Sequence, residues 1–136
     1  GFKIVILPHM DQIVKIDFHF GDIKYFMAGP KEFLNLVQNA EMICTDSFHG
    51  TVFSILNQKQ FLVFHRYRTT KKSSTNSRIA SLLNLLKIEE RLYDGNEDIY
   101  LRMKQSIDYS TVIRQLEKLR KESKDYLDNA IETCLR

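Results

Sequence analysis

The chain has 136 residues, of which 43% are hydrophobic and 27% are charged, and its formal net charge is +3. This length supports one domain with a hydrophobic core and is too short for two. The composition is that of a globular protein, and no apolar run approaches the roughly 18 residues that a membrane-spanning helix needs.

The predicted elements alternate between strands and helices. Strands are predicted at 2–7 (buried on both faces), 24–27, 42–45 and 60–65, and helices at 31–39, 51–56, from Asn76 or Ser77 onward, and from Asp108 or Ser110 to the end. This alternation predicts consecutive βαβ units, and therefore an α/β fold with a parallel sheet. Because the chain begins inside a strand-like run, we expect it to be a fragment of a longer protein.

The cysteines and the distribution of charge indicate the redox compartment and the kind of binding site. The two cysteines do not make a disulfide framework, and Cys44 lies in an apolar run that predicts a small core residue. We therefore expect a reducing compartment. All of the excess positive charge falls in one loop, residues 65–78, which contains five Lys or Arg and no acid. This loop predicts a local anion site rather than a generally basic protein.

The most informative segment is the turn between the third strand and the second helix. Residues 42–55 read M-I-C-T-D-S-F-H-G-T-V-F-S-I, so a buried strand stops at polar residues and an apolar helix follows. In an α/β sheet such a turn lies at the carboxyl end of a strand, where these folds bind ligands. It also lies at a helix N-terminus, where backbone N–H groups and the macrodipole favour anions. The turn is predicted to be an active site.

Each polar residue of this turn has a chemical interpretation and a structural one. His49 is predicted to be a general acid or base, because imidazole titrates near neutrality, although a histidine packed at a helix start is the alternative. Asp46 would orient that imidazole, but either Asp46 or Ser47 could simply cap the helix. Ser47, Gly50 and Thr51 are predicted to hold a phosphate or carboxylate, and helix-start chemistry explains them almost as well.

Three segments together resemble the polysaccharide pyruvyl transferase family. They are A-E-M-I-C-T-D-S-F-H-G-T-V-F-S-I at 40–55, F-L-V-F at 61–64, and S-R-I at 77–79 followed by Leu82-Leu83. The resemblance covers roughly residues 25 to 92. Many members of the family carry Arg at the position of Ser47 and Leu at that of Phe48, so this chain lacks the guanidinium that they place beside the histidine.

The resemblance implies a Rossmann-like three-layer domain, spanning 1–136, that forms the C-terminal half of a two-domain enzyme similar to GT-B glycosyltransferases. Such an enzyme transfers a pyruvyl group from phosphoenolpyruvate to a sugar of a cell-surface polysaccharide, as in exopolysaccharide biosynthesis. The implied partners are phosphoenolpyruvate, an acceptor sugar and the missing N-terminal domain of the same chain. No cofactor and no metal are expected, and the expected location is the cytoplasm, either free or peripheral to the inner membrane. The isolated fragment is expected to turn over little or nothing.

Basic side chains are the candidates for binding this donor, because Arg grips phosphates and carboxylates bidentately. The donor-binding candidates after the fourth strand are Arg66, Arg68, Ser77 and Arg78. Arg78 is favoured, since it is predicted to open a helix and belongs to the S-R-I segment. Lys71 and Lys72 are better explained as part of a solvated loop, and His9 and His65 end strands at the same predicted sheet edge.

Two other functions remain open at this point. One is the donor-binding domain of a nucleotide-sugar glycosyltransferase of the same architecture, with a diphosphate at the helix start. The other is a non-catalytic module that binds anions or nucleic acid. Against nucleic acid, the positive charge is confined to one loop and no aromatic stacking platform is evident.

Overall fold

The computed structural model describes residues 1–8, 15–65 and 73–134, apart from the side chains of 16–17 and 73–76. The chain divides into two compact units, Gly1–Asn39 and Ala40–Arg136. The expectation of a single domain over 1–136 stays a prediction.

Within its described residues, 1–8 and 15–39, the first unit contains a two-stranded parallel sheet and one α-helix. Its elements in chain order are β1 (Val5–Ile6), a 3-10 helix (Lys15–Phe18), β2 (Ile23–Lys24) and α1 (Pro30–Asn39). Val5 pairs with Ile23, and the Ile4 N–H donates to the Asp22 carboxylate at 2.7 Å. Helix α1 begins one residue before the predicted 31–39, at Pro30, whose fixed φ suits a first helical position.

The two strands of this unit are shorter and more exposed than predicted. The expected strand at 2–7 is only two residues long, and Phe2 is 85% exposed, so burial on both faces is wrong. The expected strand at 24–27 ends at Lys24, because the chain turns at 26–27. A two-stranded sheet buries both faces of a strand only where further layers cover it, and an apolar run does not say which layers are present.

The described part of the second unit, residues 40–65 and 73–134, contains a three-stranded parallel sheet and four α-helices. Its α and β elements are β3 (Met42–Thr45), α2 (Phe48–Leu56), β4 (Gln60–Phe64), α3 (Ser73–Leu86), β5 (Leu92–Tyr93), α4 (Ile99–Lys104) and α5 (Tyr109–Cys134). The strand order is β3-β4-β5, and Val63 of β4 pairs with Thr45 on one side and Leu92 on the other. The parallel βαβ arrangement predicted around 42–65 is confirmed. The protein is a mixed α/β protein with parallel sheets, compatible with a Rossmann-like layout.

The core of this unit lies around the central strand. Phe61, Leu62 and Val63 of β4 are fully buried, because β4 has a strand on each side and helices pack against it. Helix α3 contributes the buried Ile79 and Leu83. The expectation that Cys44 is a core residue is wrong. Cys44 is exposed, because Ile43 faces the core cluster and the next side chain of β3 points to the opposite face of the sheet.

Helix α5 is packed only along its first half. Its start is capped by Asp108, whose carboxylate accepts from the Ser110 N–H at 3.1 Å, as one of the two predicted starts requires. Val112 is buried in the core and Leu116 packs against it, whereas residues 120–134 are all exposed. Within the described residues, no helix combines the length and the apolar character needed to cross a membrane.

Candidate active site

The link between β3 and α2 is only two residues long. β3 ends at Thr45 and α2 begins at Phe48, three residues earlier than the predicted Thr51, so Asp46 and Ser47 form the whole connection. Ser47 is the N-cap: its backbone is extended (φ −94°, ψ 133°), and its hydroxyl accepts from the Gly50 N–H at 3.4 Å. Of the two capping candidates, the structure assigns the N-cap position to Ser47. Asp46 beside it is partly buried.

The two threonines that flank the turn use their hydroxyls to hold it in place. Thr45 Oγ1 accepts from the Ser47 N–H at 3.1 Å, and Thr51 Oγ1 donates to the Ser47 carbonyl at 3.0 Å. Thr51 is fully buried. In this position its hydroxyl stabilises the first turn of α2. The predicted contact of Thr51 with a donor stays a prediction.

Gly50 is needed for the close approach of α2 to the end of β3. It is buried in the first turn of the helix, and a Cβ added to it would lie 2.3 Å from Thr45 Oγ1 and 3.1 Å from Thr45 Cβ. The close neighbour of Gly50 in the structure is thus Thr45, and the predicted role of Gly50 in holding a phosphate or carboxylate stays a prediction.

His49 lies on the surface at the start of α2. It is the second residue of the helix and is exposed. Its ring meets the Phe48 ring in an edge-on arrangement, with the ring centroids 6.2 Å apart and an interplanar angle of 80°. The imidazole is therefore not turned into the core, and it can meet a ligand from solvent. The predicted orienting role of Asp46 stays a prediction.

Arg78 reaches this turn from the neighbouring helix. Its guanidinium carbon lies 5.4 Å from the centroid of the Phe48 ring, within the range of a cation–π contact. The expectation that Asn76 or Ser77 caps α3 and that Arg78 opens it is wrong, because α3 begins at Ser73. Both residues project from the body of the helix instead. Phe48 is the residue that sequence reasoning missed, although an aromatic ring directly before the candidate histidine was a signal.

A shallow groove of about 320 Å³ adjoins this contact. Its lining is mostly apolar and consists of Phe48, Ser77, Arg78, Ser81, Leu82 and Leu85. The groove therefore joins the first residue of α2 to the exposed side of α3, with one cation in its wall. His49 and Asp46 are not among its lining residues.

Most of the other candidate residues lie outside the part of the chain that the structure describes. Arg66 and Arg68 lie outside the described residues, as do His9, Lys71 and Lys72. His65 directly follows β4 and is exposed. Among the described residues, no three His, Cys, Asp or Glu side chains are grouped so that they could hold a metal ion.

Parallel strands joined by helices, with a short polar turn after β3, place the protein in the class of α/β proteins. Within that class, residues 1–66 match the family model described as polysaccharide pyruvyl transferase. The match contains the whole T-D-S-F-H-G-T turn and confirms the predicted resemblance in this part of the chain. It begins at residue 1 rather than near 25, and it ends before the S-R-I segment. No curated protein and no solved structure matches the chain.

Proposed function

We propose that this chain is part of the C-terminal, GT-B-like domain of a polysaccharide pyruvyl transferase. The enzyme would move a pyruvyl group from phosphoenolpyruvate to a sugar of a cell-surface polysaccharide. The observation that carries the proposal is the family match over residues 1–66, because it includes the complete β3–α2 turn. The acceptor sugar would be held mainly by an N-terminal domain of the same enzyme.

The donor is proposed to bind at the start of α2. Phosphoenolpyruvate carries a phosphate and a carboxylate, and the first N–H groups of a helix lack carbonyl partners within the helix and favour anions. The Arg78 guanidinium lies over the first residue of that helix, and guanidinium groups bind both kinds of anion bidentately. The proposed site would thus combine two sources of positive potential, the start of α2 and the Arg78 guanidinium.

His49 is proposed to move the protons of the reaction. A sugar hydroxyl attacks the carbon that bears the phosphate oxygen, the methylene carbon takes up a proton to become a methyl group, and phosphate finally leaves as a second sugar oxygen completes the ketal. An exposed imidazole at the donor site can accept the hydroxyl proton or deliver one to the methylene carbon. Asp46, one residue before the N-cap, would orient it.

Calorimetric titration of the chain with phosphoenolpyruvate tests the proposal. We expect weak binding by the isolated chain, reduced at least about ten-fold in Arg78→Ala because charge-assisted hydrogen bonds are lost, and reduced also in His49→Ala. The control is Arg120→Ala, which removes one exposed arginine from α5. Unchanged affinity in both site variants would contradict the proposal.

The same titration separates the alternatives. Tighter binding of a nucleoside diphosphate than of phosphoenolpyruvate would favour a nucleotide-sugar glycosyltransferase. Binding of single-stranded RNA with a steep dependence on salt would favour a nucleic-acid module.

A further inference from the structure

We infer that Phe48 is a positioning residue, whose ring holds the Arg78 guanidinium beside the N-terminus of α2 so that it can bind an anionic donor. The inference rests on the proposed function, because the anion is the donor assigned to that helix end. It goes further by giving a role to a residue that is neither charged nor able to donate or accept a hydrogen bond.

The ring is well suited to act as a fixed platform. Phe48 is the first residue of α2, is only partly exposed, and packs against the core cluster of the second unit. Arg78 is different, because its side chain is long, exposed and rich in rotamers. Contact with an immobile ring restricts those rotamers before any ligand arrives, and this restriction is a form of preorganisation.

The contact leaves the binding groups of the guanidinium available. A cation–π interaction uses the face of the aromatic ring, whereas the N–H donors of Arg point outward in the guanidinium plane and form a fork that matches phosphate and carboxylate. At a Cζ–centroid distance of 5.4 Å, the ring can therefore hold the Arg78 side chain while its N–H donors remain available to an anion.

The same ring also contacts the candidate proton-transfer group. His49 meets the Phe48 ring edge-on, with the ring centroids 6.2 Å apart. One side chain thus adjoins both the cation that would bind the donor and the imidazole that would act on it. Phe48 and Arg78 also line the same shallow, mostly apolar groove.

A double-mutant cycle on phosphoenolpyruvate affinity tests whether Phe48 acts through Arg78. Phe48→Leu keeps an apolar side chain of smaller volume and removes the ring, and we expect it to weaken binding about two- to five-fold. Phe48→Tyr keeps the ring and should bind like the wild type. In an Arg78→Ala background, Phe48→Leu should have no further effect. Equal weakening by Phe48→Leu in both backgrounds, or equal weakening by Phe48→Tyr and Phe48→Leu, would overturn the inference.

A measurement without ligand tests the contact directly. The ring current of Phe48 should displace the NMR signals of the Arg78 side-chain protons, and the displacement should vanish in Phe48→Leu and persist in Phe48→Tyr. Replacing the exposed ring of Tyr126 on α5 by Leu is the matched control and should leave these signals unchanged. Arg78 signals that do not respond to Phe48→Leu would overturn the positioning role even if the donor binds. A wild-type chain that does not bind phosphoenolpyruvate would instead overturn the proposed function, whatever the Arg78 signals show.

Discussion

Replacing Gly50 by Ala should destabilise the second unit, although alanine is the better helix former. The new Cβ would lie 2.3 Å from Thr45 Oγ1, closer than non-bonded atoms approach, so Thr45 or the start of α2 must move. Overpacking of this kind costs about 1–3 kcal/mol. Displacing Thr45 Oγ1 also weakens its bond from the Ser47 N–H, which is worth about 1 kcal/mol. The gain in helix propensity, about 1 kcal/mol, offsets only part of this loss.

The expected net loss is about 2 kcal/mol in the free energy of unfolding, measured by urea denaturation followed by circular dichroism. The Gly50→Ala change should cost less than about 1 kcal/mol in a Thr45→Ala background, where Oγ1 and Cγ2 are absent and only the Thr45 Cβ remains as a close neighbour. In a Thr45→Val background, which retains the volume but has no hydroxyl, the change should keep the overpacking part of its cost and lose the hydrogen-bond part. A Gly50→Ala variant as stable as the wild type, or more stable, would refute the packing explanation and leave helix propensity as the only effect.

Three further predictions concern the hydrogen bonds that set helix positions. Ser47→Ala should lower the stability measured by urea denaturation by about 0.5–1 kcal/mol, because the bond from the Gly50 N–H is long at 3.4 Å, while Ser47→Asp should restore it. Tyr109→Phe should cost about 1 kcal/mol in the same assay, because it removes the hydroxyl that donates to the Lys59 carbonyl and connects α5 to the α2–β4 loop. An unchanged denaturation midpoint would show that this hydrogen bond does not stabilise the unit. Two hydroxyls of the first turn of α5, those of Ser110 and Thr111, donate to Asp108 and lower the pKa of its carboxyl to about 2. The ionised carboxylate therefore stabilises the folded state above the unfolded-state pKa near 4, and this stabilisation is lost as the pH falls from about 4 to 2. The stability difference between the wild type and Asp108→Asn should therefore shrink as the pH falls over that interval. A difference independent of pH would show that ionisation of Asp108 does not stabilise the folded state.

The sequence was most informative where a local pattern was strong. The alternation of strand and helix between 42 and 64 predicted the parallel pairing of β3 and β4, because an apolar run, a polar turn and an amphipathic run follow one another within a few residues. The turn itself was predicted as a helix start. Which residue caps it could not be predicted, because Asp and Ser are equally good N-caps and the choice depends on backbone torsions.

Features set by distant contacts were not predictable. β5 is only two residues long, so it has no periodicity of its own, and it forms by pairing with β4. Helix α3 begins three residues before Asn76, within polar residues that carry no apolar period. The contact of Arg78 with Phe48 joins residues thirty positions apart, and no spacing rule within one element points to it. Its existence depends on how α2 and α3 pack together.

Helix α5 has 26 residues and is therefore about 39 Å long, but only its first half has tertiary support. Amide protons near Val112 should exchange with solvent only when the whole unit unfolds. Those beyond Leu119 depend on helix propensity alone and should exchange by fraying from the C-terminal end. A single continuous helix should thus report two different opening free energies, separated at the point where the core ends.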